Sequence, residues 1–177
     1  MQLKKLPIGI QTFSEIIENG YIYIDKTDIA YNLIDNYKYA FLSRPRRFGK
    51  SLFLDTLKNI FEAKKEYFKG LAIEAKWDWD ISYPVIHINF ANGKIESRTE
   101  LNEAIIRTLE ENQKRLEINC KHSDNVAGCF RELIIKAYEK YNQKVVILVD
   151  EYDKPILDNI ENPEIAKEVR DGLVNLY

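Results

Sequence analysis

Residues 43–54 read SRPRRFGKSLFL, and the reading of that stretch decides the fold class of the whole chain. Just before it, YAFLS (39–43) is short and apolar, which predicts a buried strand. From Lys50 onward, Phe53, Leu57, Ile60 and Phe61 recur at helical spacing, which predicts a helix to about Phe68 with one apolar face. The loop between them ends in Gly49-Lys50-Ser51. A strand, a tight loop and a helix start, in that order, make a cradle for phosphate. Backbone N–H groups turn inward, and the positive end of the helix dipole faces the anion. Gly49 has no Cβ and lets backbone approach phosphate closely. Lys50 supplies charge to the β- and γ-phosphates, and the Ser51 hydroxyl can ligate magnesium. A glycine at position 44 would complete the usual pattern, but Arg44 stands there, followed by Pro45. Pro45 has no N–H, so the cradle falls to Arg46, Arg47, Phe48, Gly49, Lys50, Ser51 and Leu52.

A second stretch tests the first. VVILVD (145–150) is an apolar run that ends in an acid, as suits a parallel strand covered on both faces. Asp150, at its end, is placed to hold magnesium through its hydration shell, and the adjacent Glu151 to polarise water as a general base. A Gly-Lys-Ser tripeptide recurs by chance, and two acids at a turn also make a helix cap or a solvated corner. The two stretches together, each in its own context, are far more specific. They predict a nucleotide site with Mg2+, with Lys50 and Glu151 as its catalytic side chains.

The rest of the chain bounds this reading. With 177 residues, 45% of them hydrophobic and 31% charged, it reads as a soluble globular domain with a sizeable core. A net charge of -2 argues against coating nucleic acid through overall charge, although Arg44, Arg46, Arg47 and Lys50 form a local basic cluster. No apolar run approaches the roughly 18 residues of a membrane span, and the N-terminus has no secretory pattern, so a cytoplasmic location is expected. Cys120 and Cys129 match no metal spacing and read as two reduced thiols.

Short elements are expected at TFSEIIEN (12–19, helix), YIYID (21–25, strand) and DIAYNLIDNY (28–37, helix). VIHINF (85–90) reads as a strand, residues 99–118 and 126–140 as long helices, and Asn162-Pro163-Glu164 as a helix start. Alternating strands and helices argue for an α/β fold. The last helix pattern meets no stop signal before Tyr177, so the chain is expected to be an N-terminal fragment of a longer protein.

The strings YIYIDKT (21–27), LSRPRRFGKSLFLDTLKNIFE (42–62), YPVIHINF (83–90) and VVILVDEYDKPI (145–156) resemble the bacterial and archaeal AAA-ATPase-like family. The RPRRFGKS loop is highly specific to that family, its missing first glycine included. The resemblance implies a P-loop NTPase of the additional-strand class that takes ATP and Mg2+: a three-layer α/β/α sandwich with a mainly parallel sheet. It implies a lead-in over 1–38 and a nucleotide-binding core over 39–177 that lacks its last strands. It assigns Gly49, Lys50 and Ser51 to the phosphate loop, Asp150 to magnesium and Glu151 to the general base. Asp25-Lys26-Thr27 matches a family string with no derivable role beyond capping a helix. Family members commonly carry a C-terminal effector domain of the PD-(D/E)XK nuclease type, absent from this chain. Glu62-Ala63-Lys64 and Glu74-Ala75-Lys76 repeat its short acid-x-Lys signature by chance.

The leading expectation is therefore an ATPase that switches an attached effector. The alternative is a degenerate P-loop module that binds nucleic acid or a protein partner through its RPRR cluster, without turnover. A small-molecule kinase fits less well, because adjacent Asp and Glu suit water activation better than transfer to a bound acceptor. His87 and Asn89, Trp77 and Trp79, and His122 read as satisfied, packing and solvated residues respectively.

Overall fold

The fold was read from a computed structural model that describes residues 4–43, 45, 47–121 and 125–176. Arg44, Arg46 and His122, singled out above, lie outside the described residues. The chain divides into two compact units, Met1–Tyr83 and Pro84–Tyr177.

The first unit is helical: α1 (Phe13–Glu18), α2 (Thr27–Asn36), α3 (Lys50–Phe61) and a 3-10 turn, Lys65–Phe68. Phe13, Ile16, Ala30, Leu57, Ile60, Phe68 and Ile73 form its buried apolar residues. Rings extend this core. Phe13 lies 4.9 Å from Tyr23 and 4.8 Å from Phe68, and Phe68 lies 5.0 Å from Trp79. Phe61 meets Trp77 and Tyr83 edge-on, each at 5.8 Å, and Trp79 Nε1 donates to the Glu74 carbonyl. Both tryptophans thus pack, as their sequence suggests.

Two expected strands are not formed here. Residues 21–25 and 39–43 have no ladder partner among the described residues, and Ile24, Tyr39 and Phe41 are exposed. A strand exists only where another backbone takes up its N–H and C=O groups in a continuing ladder, and the single bond from Ile22 N to Lys5 O does not make one. The helix expected to reach Phe68 also stops early. Ala63 takes a left-handed φ of +55°, and the chain re-enters the core through the 3-10 turn that buries Phe68.

The YIYIDKT string acquires a structural role. Asp25 accepts from the Thr27 amide (2.8 Å), the Thr27 hydroxyl (2.7 Å) and the distant Ala72 amide (2.7 Å). The buried Thr27 hydroxyl in turn accepts from Ile73 N. Asp25 therefore clasps the start of α2 to the 71–73 turn. Desolvation pushes its carboxyl up, but the hydrogen bonds from Ala72 and Thr27 outweigh this and hold it below its ordinary value. A depressed folded-state pKa contributes stability that is present above the unfolded pKa and lost as pH falls through the folded one. The gap in melting temperature between wild type and Asp25→Asn is thus expected to narrow as pH is lowered from about 6 to 3. A gap that stays constant over that window would mean that the carboxylate charge does not hold the clasp.

The second unit is built on two parallel strands, β1 (Val85–Asn89) and β2 (Val146–Asp150), in register from Val85↔Val146 to Asn89↔Asp150. The ladder continues at both ends, from Val146 N to Pro84 O and from Phe90 N to Asp150 O. The helices are α4 (Arg98–Leu116), α5 (Val126–Tyr141), α6 (Lys154–Leu157) and α7 (Pro163–Val174). Their starts follow the expected chemistry. Ser97, Asn125 and Asn162 each accept from a first-turn amide, that of Glu100, Gly128 and Ile165. The core gathers Ile86 and Ile88 of β1, Leu101, Ile105 and Leu109 of α4, Leu133 of α5, and Val169 and Leu173 of α7.

The free edge of β1 is closed by a side chain. Asn112, buried on α4, accepts from His87 N (2.9 Å) and donates to His87 O (2.7 Å). Arg115 donates to Val85 O, two residues back along the strand. Helix α4 thus occupies the position a further strand would take beside β1, leaving the sheet two-stranded among the described residues. This is an α/β arrangement with a parallel sheet, as expected, but with fewer strands than the sequence pattern suggests. Helix α7 lies close to α4 because Gly172 has no Cβ; one would stand 2.6 Å from Leu101 Cδ2. Cys120 and Cys129 depart from the expectation of two free thiols, for they form a disulfide. Their Cα atoms stand 5.3 Å apart, within the normal span for such a bond. Among the described residues, no helix is long and apolar enough to cross a membrane.

Candidate nucleotide site

The described part of the SRPRRFGKS loop turns twice through left-handed backbone, at Arg47 (φ +67°) and at Gly49 (φ +72°). Gly49 is the N-cap residue of α3, and its carbonyl accepts from Phe53 N. A Cβ at Gly49 would meet nothing within 4 Å, so glycine is favoured by the left-handed turn and not by lack of room. Lys50 and Ser51 are then the first two residues of a twelve-residue helix. Neither side chain makes a hydrogen bond or ion pair among the described residues, so both are available to a ligand. Arg47 and Phe48 are exposed, and Leu52 is half-buried at the start of the helix. The structure therefore brings Arg47 through Leu52 together on one turn. Arg46 lies outside the described residues.

The acidic pair belongs to the second unit. Asp150 ends β2 and is only 7% exposed. One of its oxygens accepts from the Glu151 amide at 3.0 Å, and its carbonyl accepts from Phe90 N. Glu151 turns through a left-handed φ of +54°, and its carbonyl accepts from Lys154 N at 3.0 Å. That turn takes Glu151 off the line of the strand while the backbone is held on both sides. Lys154 is committed elsewhere, donating to Gly93 O and pairing with Asp158 at 2.6 Å. Asn159 bonds to Ile95 O and Pro155 O, which ties the turn after β2 to the loop before α4.

A family model described as a predicted AAA-ATPase, AAA-ATPase-like, matches residues 7–177. The chain belongs to that family. The match covers both units and therefore both the phosphate-loop stretch and the acidic turn. A protein of Azotobacter chroococcum mcd 1, described as an uncharacterized protein in the vnfD 5′ region, is 51% identical over 178 residues. That alignment takes in all of this chain and 34% of the relative, so the chain spans about a third of the length of the curated relative it matches. No solved structure matches the chain.

Sequence reasoning missed the residues of this AAA-ATPase-like chain that hold α3 from behind. Asp55, one helical turn beyond Ser51, accepts from Phe13 N at 2.7 Å. Thr56, fully buried, donates to Leu52 O and lies 3.5 Å from the Tyr23 hydroxyl. The only signal was polar character at positions 55, 56 and 59, beside the apolar face of the helix. His87 and Asn89 share the half-buried face of β1, and Asn89 accepts from Ala91 N in a local turn.

Proposed function

We propose that this chain is the nucleotide-binding part of an ATPase, with Lys50 and Ser51 facing the phosphates and Asp150 and Glu151 serving metal and water. The observation that carries the reading is the start of α3. A left-handed glycine delivers Lys50 and Ser51 onto a helix N-terminus, with both side chains unengaged among the described residues. The donor set fits Mg2+-ATP. An ammonium and a helix N-terminus suit phosphate, while a serine hydroxyl and a carboxylate are hard oxygen ligands. Ser51 and Asp150 would hold the magnesium, whose charge when bound would neutralise charge on the phosphate oxygens. Lys50 adds a second positive charge, and Glu151 takes the proton from water. The switching of an attached effector is part of this proposal, because the chain spans only about a third of its curated relative.

In the protein at its natural full length, Lys50→Ala is expected to weaken binding of a fluorescent ATP analogue by about 10–100-fold, the worth of a charge-assisted hydrogen bond. The helix cap, Gly49, is untouched by that change. Equal affinity in the variant would remove Lys50 from the site. Salt-sensitive binding of DNA, with no nucleotide bound, would favour a basic docking loop instead.

A further inference from the structure

We infer that the segment before the phosphate loop is a buttress for α3, and that Asp55 is the positioning residue that joins the two. The inference rests on the nucleotide site proposed above and deepens it.

Helix α1 begins at Phe13, whose N–H is one of the amides that no helix can satisfy internally. Thr12, the residue placed to cap it, makes no side-chain bond. The acceptor comes instead from α3: Asp55 Oδ2 lies 2.7 Å from Phe13 N across 42 residues of sequence. Asn59, on the next turn of α3, holds Asp55 in place by donating to its carbonyl (2.7 Å) and to its carboxylate (3.3 Å). A second contact lies beside the first. Thr56 faces the Tyr23 hydroxyl, and the Tyr23 ring sits edge-on against Phe13. The clasp of Asp25 and Thr27 then ties the same lead-in to Ala72 and Ile73, beyond the far end of α3.

Apolar contacts alone let a helix roll or slide, whereas a directional hydrogen bond fixes one rotation about its axis. Ser51 and Asp55 are four residues apart and share a side of α3. Fixing the direction of Asp55 therefore fixes the direction of Ser51, and with it the neighbouring Lys50. A site that binds phosphate needs those side chains held by their supporting shell, and small displacements are costly. Asp55 itself touches no ligand and acts through α3.

The test uses the full-length protein and a fluorescent ATP analogue with magnesium, well below the melting temperature. Asp55→Ala is expected to raise Kd about tenfold, while Asp55→Asn, which keeps an acceptor for Phe13 N, stays within about twofold of wild type. Asp55→Glu keeps charge and acceptor but lengthens the arm. It is expected to raise Kd with the melting temperature nearly kept, and it serves where Asp55→Ala fails to fold. A purely structural role would lower the melting temperature of these variants and leave Kd unchanged, which would overturn the buttress. Wild-type protein that binds no nucleotide would overturn the proposed site and the buttress with it. Wild type that binds, beside Asp55→Ala and Asp55→Glu that bind equally well, would overturn the buttress alone.

Discussion

Glu151→Gln is expected to leave ATP binding intact and to slow turnover by about 10²–10⁴, the usual worth of a general base. The substitution is a narrow one. Glutamine has the length and shape of glutamate and loses only the charge that can accept a proton. The backbone around it is held independently of the side chain, by the Asp150 carboxylate on the Glu151 amide and by Lys154 N on the Glu151 carbonyl. The left-handed turn at Glu151 is thus kept by groups that the variant retains. Buried Asp150, proposed to serve the metal, is not altered. Phosphate release under saturating ATP gives the rate, and the fluorescent analogue gives the affinity. Turnover equal to wild type would remove Glu151 from the chemistry. Loss of binding would show instead that its side chain supports the turn after β2.

Sequence reaches some parts of this molecule and not others, for physical reasons. Helices α4, α5 and α7 are legible because their starts are local chemistry. Ser97, Asn125 and Asn162 bond to amides three residues on, so each start is written in adjacent letters. Strands β1 and β2 are legible as apolar runs that need cover. β1 receives it, whereas β2 is not covered on both faces as its sequence suggests: Leu148 is buried but Ile147 is exposed. YAFLS makes the same demand. A demand for cover does not name a ladder partner, however, and that partner is a non-local fact. Among the described residues of its own unit none is supplied, and Tyr39 and Phe41 stay exposed. Asn112 is illegible for the complementary reason. A polar residue in the middle of α4 reads as solvated until β1 is seen beside it.

The site divides the same way. Gly49 can be read because its left-handed turn all but requires glycine. The left-handed turn at Arg47 cannot, since arginine carries no preference for it. Asp55 looks like the polar side of an amphipathic helix, because its partner lies 42 residues upstream. Compartment priors make the cysteines free thiols, yet Cys120, beyond the end of α4, and Cys129, on α5, stand within bonding range.

Phe13→Ala is expected to cost the first unit about 3–5 kcal/mol, the range for emptying a buried aromatic site. Phe13 is fully buried, with Tyr23 on one side and Phe68 on the other, and Phe68 carries the contact on to Trp79. These rings come from the short helix α1, the 21–25 segment, the 3-10 turn and residues 77–80, and most of these segments have little regular structure to hold them otherwise. Hydrogen exchange followed by mass spectrometry should show protection falling by about 10²–10³ in residues 13–16 and also in 65–79, if the cluster opens as one unit. A fall confined to α1 would mean that the rings only touch and do not unfold together. The substitution keeps the N–H at position 13, so the bond to Asp55 is not deleted by chemistry. Below the transition, Phe13→Ala should therefore bind nucleotide nearly as wild type does while melting earlier. Asp55→Glu should do the reverse, and the contrast separates what holds this unit folded from what aims its phosphate loop.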